Sequence, residues 1–149
     1  MTQKTENTFH TVTVRQDIPE LEVRYLLSGA FDGGSNYWAK DADPHLADGL
    51  TIADFQRDGS EATLALQKVG VYFPTIQNVP FVEGCSVTFT NVEGTEFEGK
   101  LDRESMTRAL DLMASKHPRH FDNFLHGDMD CETGDVFLQL ALFGDIIYG

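Results

Sequence analysis

Residues 87–106 read VTFTNVEGTEFEGKLDRESM, and the change of period inside this stretch decides the fold. Val87–Val92 is β-branched and aromatic, Asn91–Gly94 has turn chemistry, and Thr95–Lys100 resumes the extended pattern, so the first half predicts a β-hairpin. At Leu101-Asp102 the period switches. Asp102 is placed as an N-cap, with Leu101 and Met106 spaced as a hydrophobic staple around it. Met106, Ala109, Leu110 and Met113 then fall on one helical face. A sheet runs directly into helix.

Toward the C-terminus the helical reading continues. His117-Pro118 ends the first helix, because the residue before proline is driven out of the α region. A short helix over 118–126 carries Phe121, Phe124 and Leu125 as buried residues and closes at Gly127. A last helix from about Glu132 to Phe143 buries Val136, Phe137, Leu140 and Phe143.

Toward the N-terminus the pattern is extended. Leu50–Phe55, Ala62–Val69 and Gly70–Phe73 read as strands, with a turn at Arg57–Ser60, while Pro74–Gly84 gives no clear pattern. Residues 39–50, rich in Asp, Pro and Gly, read as a loop. A helix is predicted from Asp17, with Glu20 completing a capping box and Val23, Leu26, Leu27 and Ala30 on its apolar face, stopping at Gly33-Gly34. Phe9–Val14 (FHTVTV) reads as a strand, and residues 1–7 as a flexible start. The expected architecture is α+β: an N-terminal strand and helix, a central, mostly antiparallel sheet of four to six strands, and three C-terminal helices packed on it, in one domain over 1–149.

Composition bounds the function. Hydrophobic residues make up 41% and charged residues 23% of the 149 positions, which suits a folded domain without staples. Eleven Lys and Arg against 24 Asp and Glu leave a formal charge of −13, spread as −4, −4 and −5 over residues 1–50, 51–100 and 101–149. Such a surface repels nucleic acid and anionic membranes and attracts basic proteins. Apolar runs are too short to cross a bilayer, and Met1–Thr8 lacks the apolar core of a signal peptide, so a cytoplasmic setting is expected. Cys85 and Cys131 have no CxxC spacing and read as two reduced thiols.

Each pattern that suggests chemistry also has a plainer reading. His117, His120 and His126 with nearby Asp and Cys131 are dense in metal-ligating types, but Pro118 turns His117 into a helix boundary; no metal or cofactor is assigned. Asp128, Asp130 and Glu132 open like a calcium loop, yet positions 6 and 12 hold Thr133 and Gln139 where Gly and Glu are needed. Neither cysteine sits in a basic environment, and no catalytic residue is assigned. Gly33, Gly34, Ser35, Asn36, Tyr37 and Trp38 form the sharpest local motif: a ligand or partner anchor on one reading, a helix stop with two core aromatics on the other.

The segments GAFDGGSNYW (29–38) and DCETGDVFLQLALFGDIIYG (130–149), together with LDRESMTRALDLMASKHPRHF (101–121), resemble small acidic accessory proteins of bacteriophages, prophages and mobile elements. The resemblance implies a bacterial-host setting and no particular activity. Combined with the charge, it suggests an inhibitor or modulator of a host nucleic-acid-binding or defence protein, acting on that protein's basic surface by nucleic-acid mimicry. Asp122, Asp128, Asp130, Glu132 and Asp135, with Tyr37 and Trp38, are the expected partner contacts. Direct nucleic-acid and membrane contacts are not expected; a homodimer is compatible with the sequence. The second reading is a nucleotide or metabolite binder using the Gly33–Trp38 turn, and the third an enzyme or metal protein using His117, His120 and His126.

Overall fold

The computed structural model describes residues 8–56 and 75–149. In chain order these hold α1 (Glu20–Gly29), a wide turn (Ala30–Gly34), β1 (Ala39–His45), α2 (Ile52–Gln56), α3 (Thr75–Asn78) with a 3₁₀ turn (Val79–Phe81), β2 (Ser86–Asn91), β3 (Glu96–Leu101), α4 (Arg103–Lys116), α5 (Pro118–Leu125) and α6 (Cys131–Phe143). The α+β class is as expected. The described residues form a three-stranded antiparallel sheet in the order β1-β2-β3. No helix among them is long and apolar enough to cross a membrane.

The hairpin and the switch into helix follow the sequence closely. Asn91 Oδ1 accepts from the backbone N–H groups of Glu93 and Thr95, both at 2.9 Å, tying the turn between β2 and β3. One residue after β3, Asp102 accepts the Ser105 N–H at 2.8 Å while Ser105 Oγ accepts the Asp102 N–H at 2.9 Å, a reciprocal capping box. Leu101 and Met106 are both buried on either side of it.

The N-terminal half departs from expectation in four places. Phe9–Val14 is not a strand: it lies exposed and has no ladder partner among the described residues, and β propensity acts through such neighbours. Helix α1 begins at Glu20 rather than Asp17, because Pro19 drives Ile18 out of the α region and becomes the N-cap, with no side-chain cap. Residues 39–45, read as loop, form β1; its Lys, Asp and Pro suit an edge strand, and β2 supplies the ladder. The expected strand Leu50–Phe55 is instead the approach to and most of α2, Ile52–Gln56. Thr51 starts it, and its N–H donates to Asp54 Oδ2 at 2.7 Å. The expected strands at 62–69 and 70–73, the turn at 57–60 and the start at 1–7 lie outside the described residues.

At the centre is α6. Every residue from Thr133 to Leu142 is buried, so the helix is covered all round. It contacts α1 and the wide turn, α4, α5 and β3, and the buried apolar side chains form one cluster around it. The backbones meet without side chains between them. A Cβ on Gly34 would stand 2.2 Å from the Cys131 carbonyl oxygen, one on Gly134 2.6 Å from the Ala30 nitrogen, and one on Gly99 2.0 Å from the Leu142 oxygen. Gly33, at φ 139°, supplies the backbone turn that ends α1. Leu125, expected inside, is 36% exposed at the end of α5.

Candidate functional site

The Gly33–Trp38 motif meets α6 through Asp135. Four donors converge on this carboxylate: Ser35 Oγ and Trp38 Nε1 on Oδ1, both at 2.7 Å, and Tyr37 Oη at 2.6 Å and Gln139 Nε2 at 3.0 Å on Oδ2. Asp135 and Gln139 lie four residues apart on one helix face, and both are buried. Two acceptor oxygens carrying two donors each leave the buried charge fully hydrogen-bonded. Gln139 extends the network: its Oε1 accepts the N–H groups of Ile147 and Tyr148 at 2.9 and 2.8 Å, which holds the C-terminal segment against the helix.

Trp38 is buried and stacks on Tyr148, ring centroids 5.2 Å apart and 4° from parallel, with Phe97 and Phe143 packed at its edges. The Tyr37 ring is half exposed, but its hydroxyl turns inward to Asp135. Desolvation of that hydroxyl, reinforced by its hydrogen bond to the carboxylate, pushes its pKa up to about 12. Of the motif, Asn36 and Tyr37 face outward, whereas Ser35 and Trp38 are interior. The turn is thus built as a joint between the two ends of the chain.

Asp135 therefore leaves the acidic face on which the sequence placed it. Three of its four donors, Ser35, Tyr37 and Trp38, come from about a hundred positions earlier, so the residues around it in sequence carried little sign of its burial. The other four acids, Asp122, Asp128, Asp130 and Glu132, remain exposed at the corner between α5 and α6. Asp130 is also the N-cap of α6 and accepts the Thr133 N–H at 2.8 Å; that hydrogen bond holds its carboxyl below the ordinary range. His126 lies in the same corner. Its Nδ1 bonds the Asp122 carbonyl at 2.8 Å, and this bond together with the Asp122 charge raises its pKa.

The histidines do not converge. His117 separates α4 from α5, His120 Nδ1 pairs with Thr133 Oγ1 at 3.2 Å, and His126 turns to Asp122. Among the described residues, no three His, Cys, Asp or Glu side chains are grouped to hold a metal ion. Cys85 is buried, with its sulfur accepting the Ala47 N–H at 3.4 Å, and Cys131 is exposed at the first turn of α6; both are free thiols.

A cleft of about 770 Å³ between the start of β2, the end of β3 and α4 was not foreseen. Lys100, Arg103 and Arg108 line it together with Glu83, Asp102, Glu104 and Asp111, so charges of both signs are mixed along its walls. Arg103 is committed to the Phe81 carbonyl and, at 3.4 Å, to Glu20. The sequence held no signal for this cleft, since its walls are joined only by the packing of α4 on the sheet.

No protein-family model, no curated protein and no solved structure matches the chain.

Proposed function

We propose that this chain is an acidic interaction protein that binds a basic surface of a host protein, in a phage-type setting inside a bacterial cell, and thereby inhibits or modulates it. The observation that carries this reading is the charge of −13 combined with the exposed corner Asp122, Asp128, Asp130 and Glu132, within which no Lys or Arg intervenes. Exposed carboxylates gathered at a helix junction offer a basic groove the same sign of charge as the phosphates of a duplex, which carries about one charge per 1.7 Å of axis. The natural target class is a nucleic-acid-binding or defence protein whose groove is lined with Lys and Arg.

The reading through the Gly33–Trp38 turn as a small-ligand site has less to draw on, because Ser35, Tyr37 and Trp38 donate to Asp135. The histidine reading is likewise weakened by the separate partners of His120 and His126.

The test is capture from bacterial lysate on the tagged chain at low and high salt, with the retained proteins identified by mass spectrometry. A basic nucleic-acid-binding protein held at low salt, released at high salt and lost with the combined Asp122→Lys, Asp128→Lys, Glu132→Lys variant is the expected result, since exposed charges are screened within a Debye length of about 8–10 Å. A complex indifferent to salt, or none at all, overturns the proposal.

A further inference from the structure

Phe9–Val14 has the strongest strand pattern of the N-terminal region, yet among the described residues it pairs with nothing. Phe9, Val12 and Val14 are 79%, 79% and 80% exposed. A lone β-prone segment with apolar side chains in water is unfavourable unless a sheet edge receives it. We propose that Phe9–Val14 is a donor strand that adds to the edge of β3 that no described strand covers, in a second copy of this chain, the two copies exchanging arms.

Three observations choose this occupant. The first is the receiving edge. Both outer strands carry a register shift against β2, between Ala39 and Ala42 on β1 and opposite Thr88–Thr90 on β3, but β1 also contains Pro44, which lacks a ladder N–H. Strand β3 has no proline, and its six residues, Glu96–Leu101, match the six of Phe9–Val14.

The second is charge. Residues 1–16 carry two basic groups and one acidic, a sum of +1, and residues 17–149 carry 9 basic and 23 acidic, a sum of −14. The arm itself has Arg15 at its root and no acid from Thr8 to Gln16, while β3 exposes two acids, Glu96 and Glu98, against one base, Lys100. A second copy attracts this arm; a basic partner would repel it.

The third is the root. Ile18 packs on the core and lines a groove with Leu110, Ala114 and Phe121, so the base of the arm is seated on α4 and α5 while Phe9–Val14 extends into solvent. Exchange under a two-fold axis joins both arms to both β3 edges, which closes the assembly.

This inference stands independently of the partner reading. It is tested by sedimentation of the full chain over a range of concentrations, with amide hydrogen exchange on the same samples. A reversible dimer is expected, in which amides 9–14 and 96–101 gain protection together. Val12→Pro removes one ladder N–H at an exposed position that the fold does not use, and should weaken the dimer about tenfold or more. Combined Glu96→Lys and Glu98→Lys should weaken it through charge alone. A chain that stays monomeric, a dimer untouched by Val12→Pro, or an arm protected in the monomer each overturns the proposal; the last would mean that the arm pairs within its own chain.

Discussion

The indole N–H of Trp38 donates to Asp135 at 2.7 Å, joining residues 97 apart in sequence. With Ser35, Tyr37 and Gln139 on the same carboxylate, this bond fastens the turn after α1 to the central helix, and through Gln139 to the last residues of the chain.

Asp135→Ala should therefore cost about 3 kcal/mol or more, since several buried donors lose their acceptor together and unpaired buried groups each cost about 1–3 kcal/mol. Asp135→Asn should be comparably harmful, because its amide NH₂ sets a donor against donors. Urea denaturation with tryptophan fluorescence reads both. A midpoint within error of wild type for either variant would show that the network is ornamental to stability.

Gly134→Ala inverts the usual helix rule. Alanine is favoured over glycine inside a helix by about 1 kcal/mol. Here the new methyl would meet the Ala30 nitrogen at 2.6 Å and the Leu26 oxygen at 2.7 Å, so overpacking by about 1–3 kcal/mol should prevail. A rise in melting temperature would mean that α1 and α6 separate at little cost.

The Tyr37 hydroxyl gives a pH signature. Its pKa is raised by desolvation from 10.0 to about 12, so its contribution to stability is complete below pH 10 and is lost as pH rises between 10 and about 12. Ultraviolet difference titration of wild type against Tyr37→Phe should isolate one tyrosinate that forms late. An ordinary titration near pH 10 for that residue would contradict the inward hydroxyl.

Asp130 separates two roles that the acidic corner combines. Its depressed pKa means that the cap stabilises above pH 3.8 and is lost as pH falls through the lower folded value. Asp130→Ala should cost about 1 kcal/mol by loss of the N-cap. Asp130→Ser keeps a cap oxygen while removing the charge, so it should retain stability yet weaken capture of a basic partner. Equal loss of stability in both variants would mean that serine fails to replace the cap.

What could be read from the sequence was what neighbours in the chain decide. The Asn91–Gly94 turn, the Asp102 cap with its staple and the boundary at Pro118 all act within a few residues, and all appear where expected. Strand β1 was hidden because its Lys40, Asp41 and Pro44 look like loop, and only β2, some forty residues later, makes a ladder of them. Helix α2 was legible in principle, since Thr51 and Asp54 have cap spacing, but the apolar run around them favoured a strand. Asp135 was misplaced for the opposite reason. An acid among exposed acids looked like surface, although it begins the run DVFLQLALF, whose apolar residues repeat on every side and signal a helix enclosed by the protein.

The bare backbone contacts at Gly34 and Gly134 also say how such a chain can diverge through descent. Surface acids can be exchanged one at a time, each substitution judged alone. The seam admits no such drift: a side chain at Gly34 needs the start of α6 to retreat, and a change at Asp135 strands donors in a segment about a hundred positions earlier. Residues 29–38 and 130–149 thus constrain one another directly, and Gly99 is bound in the same way to the Leu142 backbone.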